Sequence, residues 1–287
     1  MNQKSSLYLE SGEIFTGQMV AGEPKAGEVV FNTSHSGYEE MATDPSYYSQ
    51  ILVTTASQQG NYGVDDEVWE SRKIWIRGFV CLEVQNSSRE RSWLERLDQG
   101  KVPLITEVDT RQLVLHLRSN GTPWGAIIDS VDAKVVKEKA QQLIKKAKSG
   151  PADWTALVSS EKPYEIQGHN ENGPKIALLD FGSKENIIRE LRKRAQLIKI
   201  FPSSSTSSEI KAWNPDGILL SNGPGDPALV NPGIQTVREL LGWRFIFGIC
   251  MGHQVLGLAL GGKTYKLKFG HRGSNHPIRD TLVNRVY

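Results

Sequence analysis

The chemically capable residues of this chain gather around Cys250. It stands in the run 248–254, GICMGHQ, with Gly248 and Gly252 two residues to either side. A nucleophile held on a sharp strand-to-helix turn has close neighbours and a strained backbone, which small flanking residues allow. The same turn sets the sulfur at a helix N-terminus, where free N–H groups and partial positive charge favour thiolate over thiol. The pattern therefore predicts an activated cysteine nucleophile; a buried cysteine serving as a small apolar side chain also fits it. A second run, 221–227, reads SNGPGDP. Gly223 and Gly225 let the backbone approach a ligand, and Pro224 and Pro227 stiffen it. Its N–H groups could form a fixed oxyanion cradle, or the loop is simply a tight connection.

Other reactive side chains read as structural. Cys81 lies inside the apolar run 73–84, with nothing nearby to lower its pKa. His116 sits among apolar neighbours, and His169 lies in a polar stretch. The two cysteines stand far apart without metal-ligand spacing, which predicts a reducing compartment and no metal site. Asp44-Pro45-Ser46, within 35–50, reads as a surface turn. Lysines and arginines number 34 against 32 acidic residues, net +2, which gives no footprint for nucleic acid. No apolar run nears the roughly 18 residues of a membrane span, and the opening residues lack the apolar core of a signal peptide. The expectation is a cytoplasmic protein without nucleic-acid or membrane partners.

The elements that must position Cys250 follow from periodicity. At 287 residues, two domains are expected. The first half opens with a hairpin around Ser11-Gly12, then strands at 27–34 and 49–56. The apolar run 73–84 reads as one strand or as two joined at Gly78, and TPWGAIID at 122–129 as another strand. Helices are expected from a Ser92 cap to Gly100 and from an Asp109 cap to Gly121. A lysine-rich amphipathic helix follows near 132–149. Residues 151–173 carry prolines and glycines without periodicity and read as a linker. Beyond them, short apolar strands alternate with helices, which predicts a doubly wound, mainly parallel sheet with its working groups at the strands' carboxyl ends. The fold class is thus α/β, with a mixed N-terminal domain (1–150), a linker (151–173) and a parallel-sheet domain (174–287).

SNGPGDP followed by GICMGHQ resembles the paired signature of class I (triad-type) glutamine amidotransferases. Residues 27–51, GEVVFNTSHSGYEEMATDPSYYSQI, and 268–277, KFGHRGSNHP, resemble the glutamine-hydrolysing small subunits of carbamoyl phosphate synthetases. The resemblance covers nearly the whole chain. It implies Cys250 as the nucleophile that attacks the glutamine carboxamide, with Gly225 and Met251 giving oxyanion N–H groups. Gly223 and Gln254 would bind glutamine, and Ser46 would reach it from the first domain rather than form a mere surface turn. Ammonia would pass to a large synthetase subunit that uses ATP and bicarbonate, in arginine or pyrimidine synthesis. No cofactor is expected on this chain, which has no G-x-x-x-x-G-K-[ST] loop.

A thiol nucleophile also needs a histidine base and a carboxylate. After Cys250 the sequence has His253, His271 and His276 and no glutamate, so the family's His-x-Glu element has no match. The expectation is an amidotransferase domain that is incomplete at its C-terminal end and a chain that hydrolyses glutamine slowly by itself. A non-catalytic subunit docking on the synthetase is the alternative; a cysteine peptidase on a similar fold would not account for the first half.

Overall fold

The structure, a computed structural model, describes residues 3–85, 90–273 and 276–287. Strands β1 (Gln3–Leu9) and β2 (Ile14–Ala21) form the expected hairpin, with Gly12 at φ 111° in its turn. After β3 (Lys25–Asn32) comes helix α1 (Tyr38–Thr43), then β4 (Gln50–Thr54). The short pair β5 (Gln58–Gln59) and β7 (Glu83–Val84) brackets β6 (Gly78–Val80), so the run 73–84 yields strands only from Gly78 onward. Helix α2 (Ser92–Gln99), strand β8 (Leu104–Thr106), helix α3 (Thr110–Asn120), strand β9 (Trp124–Ile128) and helix α4 (Ala133–Lys148) complete the first half.

These strands close into a barrel in the order β1-β2-β8-β6-β4-β3-β9. The neighbours β3, β4, β6 and β8 are mutually parallel; β2 and β9 pair antiparallel with the two ends of this run, and β1 closes the barrel antiparallel to both. Period-two alternation gives each strand two apolar faces. Leu7, Val29, Ile51, Val80, Ile105 and Ile127 form one cluster with Leu113 and Leu117 of α3. Val30, Leu52, Phe79 and Leu104 form the other, with Trp93 and Leu97 of α2. Asp109 and Asp132 cap α3 and α4 through side-chain acceptors, as expected of Asp109. Ser92 instead is the first residue of α2, and the Glu90 carboxylate accepts its N–H at 3.0 Å.

Residues 35–50 are not a surface turn. Helix α1 occupies them, and Pro45–Tyr47 follows as a single 3-10 turn capped by Asp44, with Tyr38 and Tyr47 buried. Nor is 151–173 irregular throughout. It holds the one-turn helix α5 (Thr155–Val158) and strand β10 (Tyr164–Gln167), which pairs antiparallel with the second sheet.

That sheet contains β11 (Lys175–Asp180), β12 (Leu197–Pro202), β13 (Gly217–Leu220) and β14 (Phe245–Gly248), in the order β10-β12-β11-β13-β14. The last four are parallel. Between them run α6 (Glu185–Arg192), α7 (Ser207–Trp213) and α8 (Asn231–Leu240), and α9 (Met251–Ala259) follows β14. Ile210, Val237 and Val255 of α7, α8 and α9 pack on Leu179, Ile218 and Leu220. Ile188 of α6 covers Leu178, Ile198 and Leu219 on the other face. This is the expected double winding, and it brings the ends of β11, β13 and β14 to one edge of the domain. Among the described residues no helix is long and apolar enough to cross a membrane.

Candidate active site

Strand β14 delivers its last residue, Gly248, alongside Leu220, and the chain then turns through Cys250 at φ 51°, ψ −108° into α9. A non-glycine residue at positive φ is sterically strained and persists only where its surroundings fix it. Here Ile249 N–H donates to Leu220 O at 2.9 Å, Gly252 N–H to Ser221 O at 2.9 Å, and Gln254 N–H to Cys250 O at 3.1 Å. The flanking glycines are required by space. A Cβ on Gly252 would stand 2.3 Å from Leu220 O, and one on Gly248 would stand 2.5 Å from the backbone of Gly252.

The loop 221–227 leaves the neighbouring strand β13. Gly223 lies so close to the backbone of Phe181 that a Cβ would fall 2.3 Å from its carbonyl oxygen, and Gly225 adopts φ 90°. The Ser221 hydroxyl accepts the Phe181 N–H at 2.9 Å. Asn222, nearly fully buried, accepts the Lys184 N–H at 3.1 Å on Oδ1. Its Nδ2 donates to Ser46 Oγ at 2.9 Å and to Asp44 Oδ1 at 3.3 Å. Ser46 therefore reaches the second domain from the barrel, held by its own N–H to Asp44 Oδ1 at 2.8 Å. Lys184 Nζ stands 3.7 Å from Asp44 Oδ2. At Gly182, φ 122°, a Cβ would press on Pro45 and Pro224 together, so the two domains meet tightly here.

The surroundings of the thiol act, on balance, against its ionisation. Cys250 is exposed, yet desolvation by the surrounding protein is the largest influence on its sulfur and raises its pKa. The Asp44 carboxylate raises it further, while the Met251 N–H, Lys184 and Arg272 oppose. The helix N-terminus thus acts in the expected direction through Met251 but is outweighed, which corrects the expectation of a favoured thiolate. Burial likewise pushes Asp44 above the usual carboxylate range, with Lys184 and the Ser46 N–H opposing. Cys81 is inert by contrast, fully buried with its thiol pushed up to about 12.

The six sequence-selected residues are placed as follows. Cys250 and Met251 form the turn, and Met251 directs its N–H at the sulfur. Gln254 lies one turn along α9 on an exposed position. Gly223 and Gly225 lie in the adjoining loop, and Ser46 meets that loop at Asn222. Sequence reasoning passed over Asp44, Lys184 and Asn222. Asn222 lay inside the quoted loop and Asp44 in the quoted turn; Lys184 carried no local signal. Among the described residues, the groups that act on Cys250 are Asp44, Met251, Lys184 and Arg272, with no histidine among them. His271 and His276 pack ring to ring in the segment after α9, and Ser274 and Asn275 of the KFGHRGSNHP motif lie outside the described residues. No group of three or more His, Cys, Asp or Glu among the described residues is placed to hold a metal ion.

A cysteine on a strained strand-to-helix turn in a doubly wound sheet defines a class. Residues 177–287 match the class-I glutamine amidotransferase family, and residues 7–127 match the carbamoyl-phosphate synthase small chain, CPSase domain. The carbamoyl phosphate synthase small chain of Clostridium perfringens is 42% identical over 290 residues, covering 99% of this chain and 80% of the relative. The small chain of Caldanaerobacter subterraneus is 40% identical, covering 99% of this chain and 77% of the relative. A pyrimidine-specific small chain of Halalkalibacterium halodurans is also 40% identical, covering 99% and 78% respectively. The chain belongs to the carbamoyl phosphate synthase small chain family.

Proposed function

We propose that this chain is a glutaminase subunit in which Cys250 attacks the carboxamide carbon of glutamine. The C–S bond forms and the C–N bond breaks; the thiol proton ends on the departing nitrogen, which leaves as ammonia. Water then cleaves the glutamyl thioester to glutamate and restores the thiol. Met251 and Gly225 donate backbone N–H groups to the oxyanion, and Ser46, Gly223 and Gln254 hold the substrate. Ammonia passes to a large synthetase subunit, which supplies the ATP and bicarbonate chemistry; this chain holds no cofactor. Its product serves arginine or pyrimidine synthesis.

The observation that carries this reading is the turn itself: a positive-φ cysteine with the next residue's N–H directed at its sulfur. Because burial and the Asp44 carboxylate raise the thiol, slow hydrolysis by the chain alone is expected. The test treats the purified chain with a diazoketone analogue of glutamine and maps the adduct by mass spectrometry, with glutamate release followed in parallel. Adduct on Cys250, prevented by glutamine and absent in C250S, is expected. No adduct would sink the proposal. Adduct without any glutamate release, with or without the large subunit, would favour a docking subunit that binds glutamine but does not turn it over; the raised thiol is the observation behind that second reading.

A further inference from the structure

Helix α6 has no cap of its own. Its preceding residue, Lys184, makes no side-chain bond to the first turn, which leaves the N–H groups of Glu185 and Asn186 without a partner in their own segment. Both are satisfied from the barrel domain by one residue. Glu185 N–H donates to Glu70 O at 2.8 Å and Asn186 N–H to Glu70 Oε2 at 2.9 Å. One turn on, Arg189 Nη2 donates to Trp69 O at 2.7 Å, so Trp69 and Glu70 clasp the helix at two points.

The clasp is fixed to the element that carries the barrel's contribution to the site. Glu70 N–H donates to Thr43 Oγ1 at 2.9 Å, and that hydroxyl donates to Glu39 O at 2.7 Å; both acceptors lie in α1. Glu39 also accepts Trp69 Nε1 at 2.9 Å. Immediately after Thr43 come Asp44 and Ser46, which meet Lys184 and Asn222. A closed circuit results: α1 to Glu70, Glu70 to α6, Lys184 at the head of α6 to Asp44, and Asp44 back to α1.

We propose that Glu70 is a positioning residue that caps α6 across the domain junction and thereby holds Lys184 against Asp44 and the Cys250 thiol. This rests on the reading of Cys250 as the nucleophile. Besides the Met251 N–H, the charged groups acting on the thiol come from three elements: Asp44 from the barrel, Lys184 from the head of α6, and Arg272 from the segment after α9; the thiol in turn acts on Tyr47. Lys184 holds the thiol down, so releasing it raises the thiol and slows reactions of the thiolate.

The experiment is the pH profile of Cys250 alkylation by iodoacetamide in the full chain, read by peptide mass. Buried Cys81 serves as an internal silent site. E70A removes the side-chain half of the cap together with its charge, leaving the backbone acceptor of Glu185 in place; E70Q removes charge alone and keeps an acceptor, and E70D keeps charge but falls one methylene short. At pH 7.5, alkylation of E70A and E70D is expected to be about threefold slower or more than that of E70Q, corresponding to a rise of about half a pKa unit. K184M is expected to slow the wild type similarly and to add little in the E70D background. Equal rates in E70D and E70Q, or an undiminished K184M effect in E70D, would overturn the proposal even if melting temperatures fall. Should E70A not fold, the E70D and E70Q comparison decides alone. Alkylation does not require glutaminase activity, so loss of the glutaminase reading and loss of this one are read separately.

Discussion

Gly252→Ala is the sharpest test of how Cys250 is held. The new methyl carbon would sit 2.3 Å from Leu220 O and 2.5 Å from Leu220 Cβ, against ordinary contacts of 3.4 Å or more. Neither atom is the free end of a flexible side chain. Leu220 is paired in β13 to both neighbouring strands, and its carbonyl accepts the Ile249 N–H. The head of α9 must therefore retreat by about 1 Å, and overpacking of this kind costs about 1–3 kcal/mol. With backbone on both sides the upper end applies, about 3 kcal/mol, which lowers the melting temperature by roughly 6–12 °C. The displacement also carries Cys250 with it, and a shift of about 1 Å at a nucleophile can cost on the order of a hundredfold in rate. Gly257, five residues along the same helix, has open space where its Cβ would go. G257A is expected to stabilise by about 1 kcal/mol through helix propensity alone. Scanning calorimetry of the two variants beside the wild type measures both. G252A melting with the wild type would refute the argument that sterics at this turn, rather than helix propensity, require glycine.

Two further variants test electrostatics and capping. In Asp44→Asn the carboxylate that raises the Cys250 thiol is gone, while an amide oxygen remains to accept from Ser46 and Asn222. Alkylation at pH 7.5 should be a few-fold faster than in the wild type, and unchanged rates would remove Asp44 from the account. The same substitution has a pH signature in urea unfolding. Because the folded-state pKa of Asp44 lies above its unfolded value, this group's contribution falls as pH rises through that window. The wild type should therefore lose relative to D44N on going from acid to neutral pH. Asp132→Ala removes the acceptor for the Lys134 and Val135 N–H groups at the head of α4, and should cost about 1 kcal/mol in the same unfolding assay.

The four parallel strands of the second sheet were the most legible part of the sequence, because short apolar runs alternating with helices fix their order and parallel pairing. The barrel was not. Its closure depends on β1 finding β9 and β2 finding β8 across long separations, which no local pattern encodes. Helix α1 escaped notice for a related reason. Six residues cannot display a helical period, and Gly37 before it and Pro45 after it read as turn signals; burial of Tyr38 against Trp93 and Tyr62 makes the segment a helix. Strand β10 was hidden because three of its four residues are exposed. At the site, the two glycines around Cys250 were read for the reason they are present. The upward push on the thiol was not legible because its largest cause, burial, and its second, the Asp44 carboxylate from the other domain, exist only in the assembled fold. Ser46 was legible only by resemblance, since its contact with Asn222 is assembled between domains.

The close seating of Gly248 and Gly252 has a consequence at the level of the gene. Every other amino acid carries a Cβ, so no missense change at either codon is conservative, whatever its polarity or size. Serine or alanine at Cys250 adds no atom beyond the space the cysteine fills, so either is expected to leave the turn standing. Loss of the chemistry and loss of its geometry are thus separately encoded within five codons, and a decayed copy of this gene would record which was lost first.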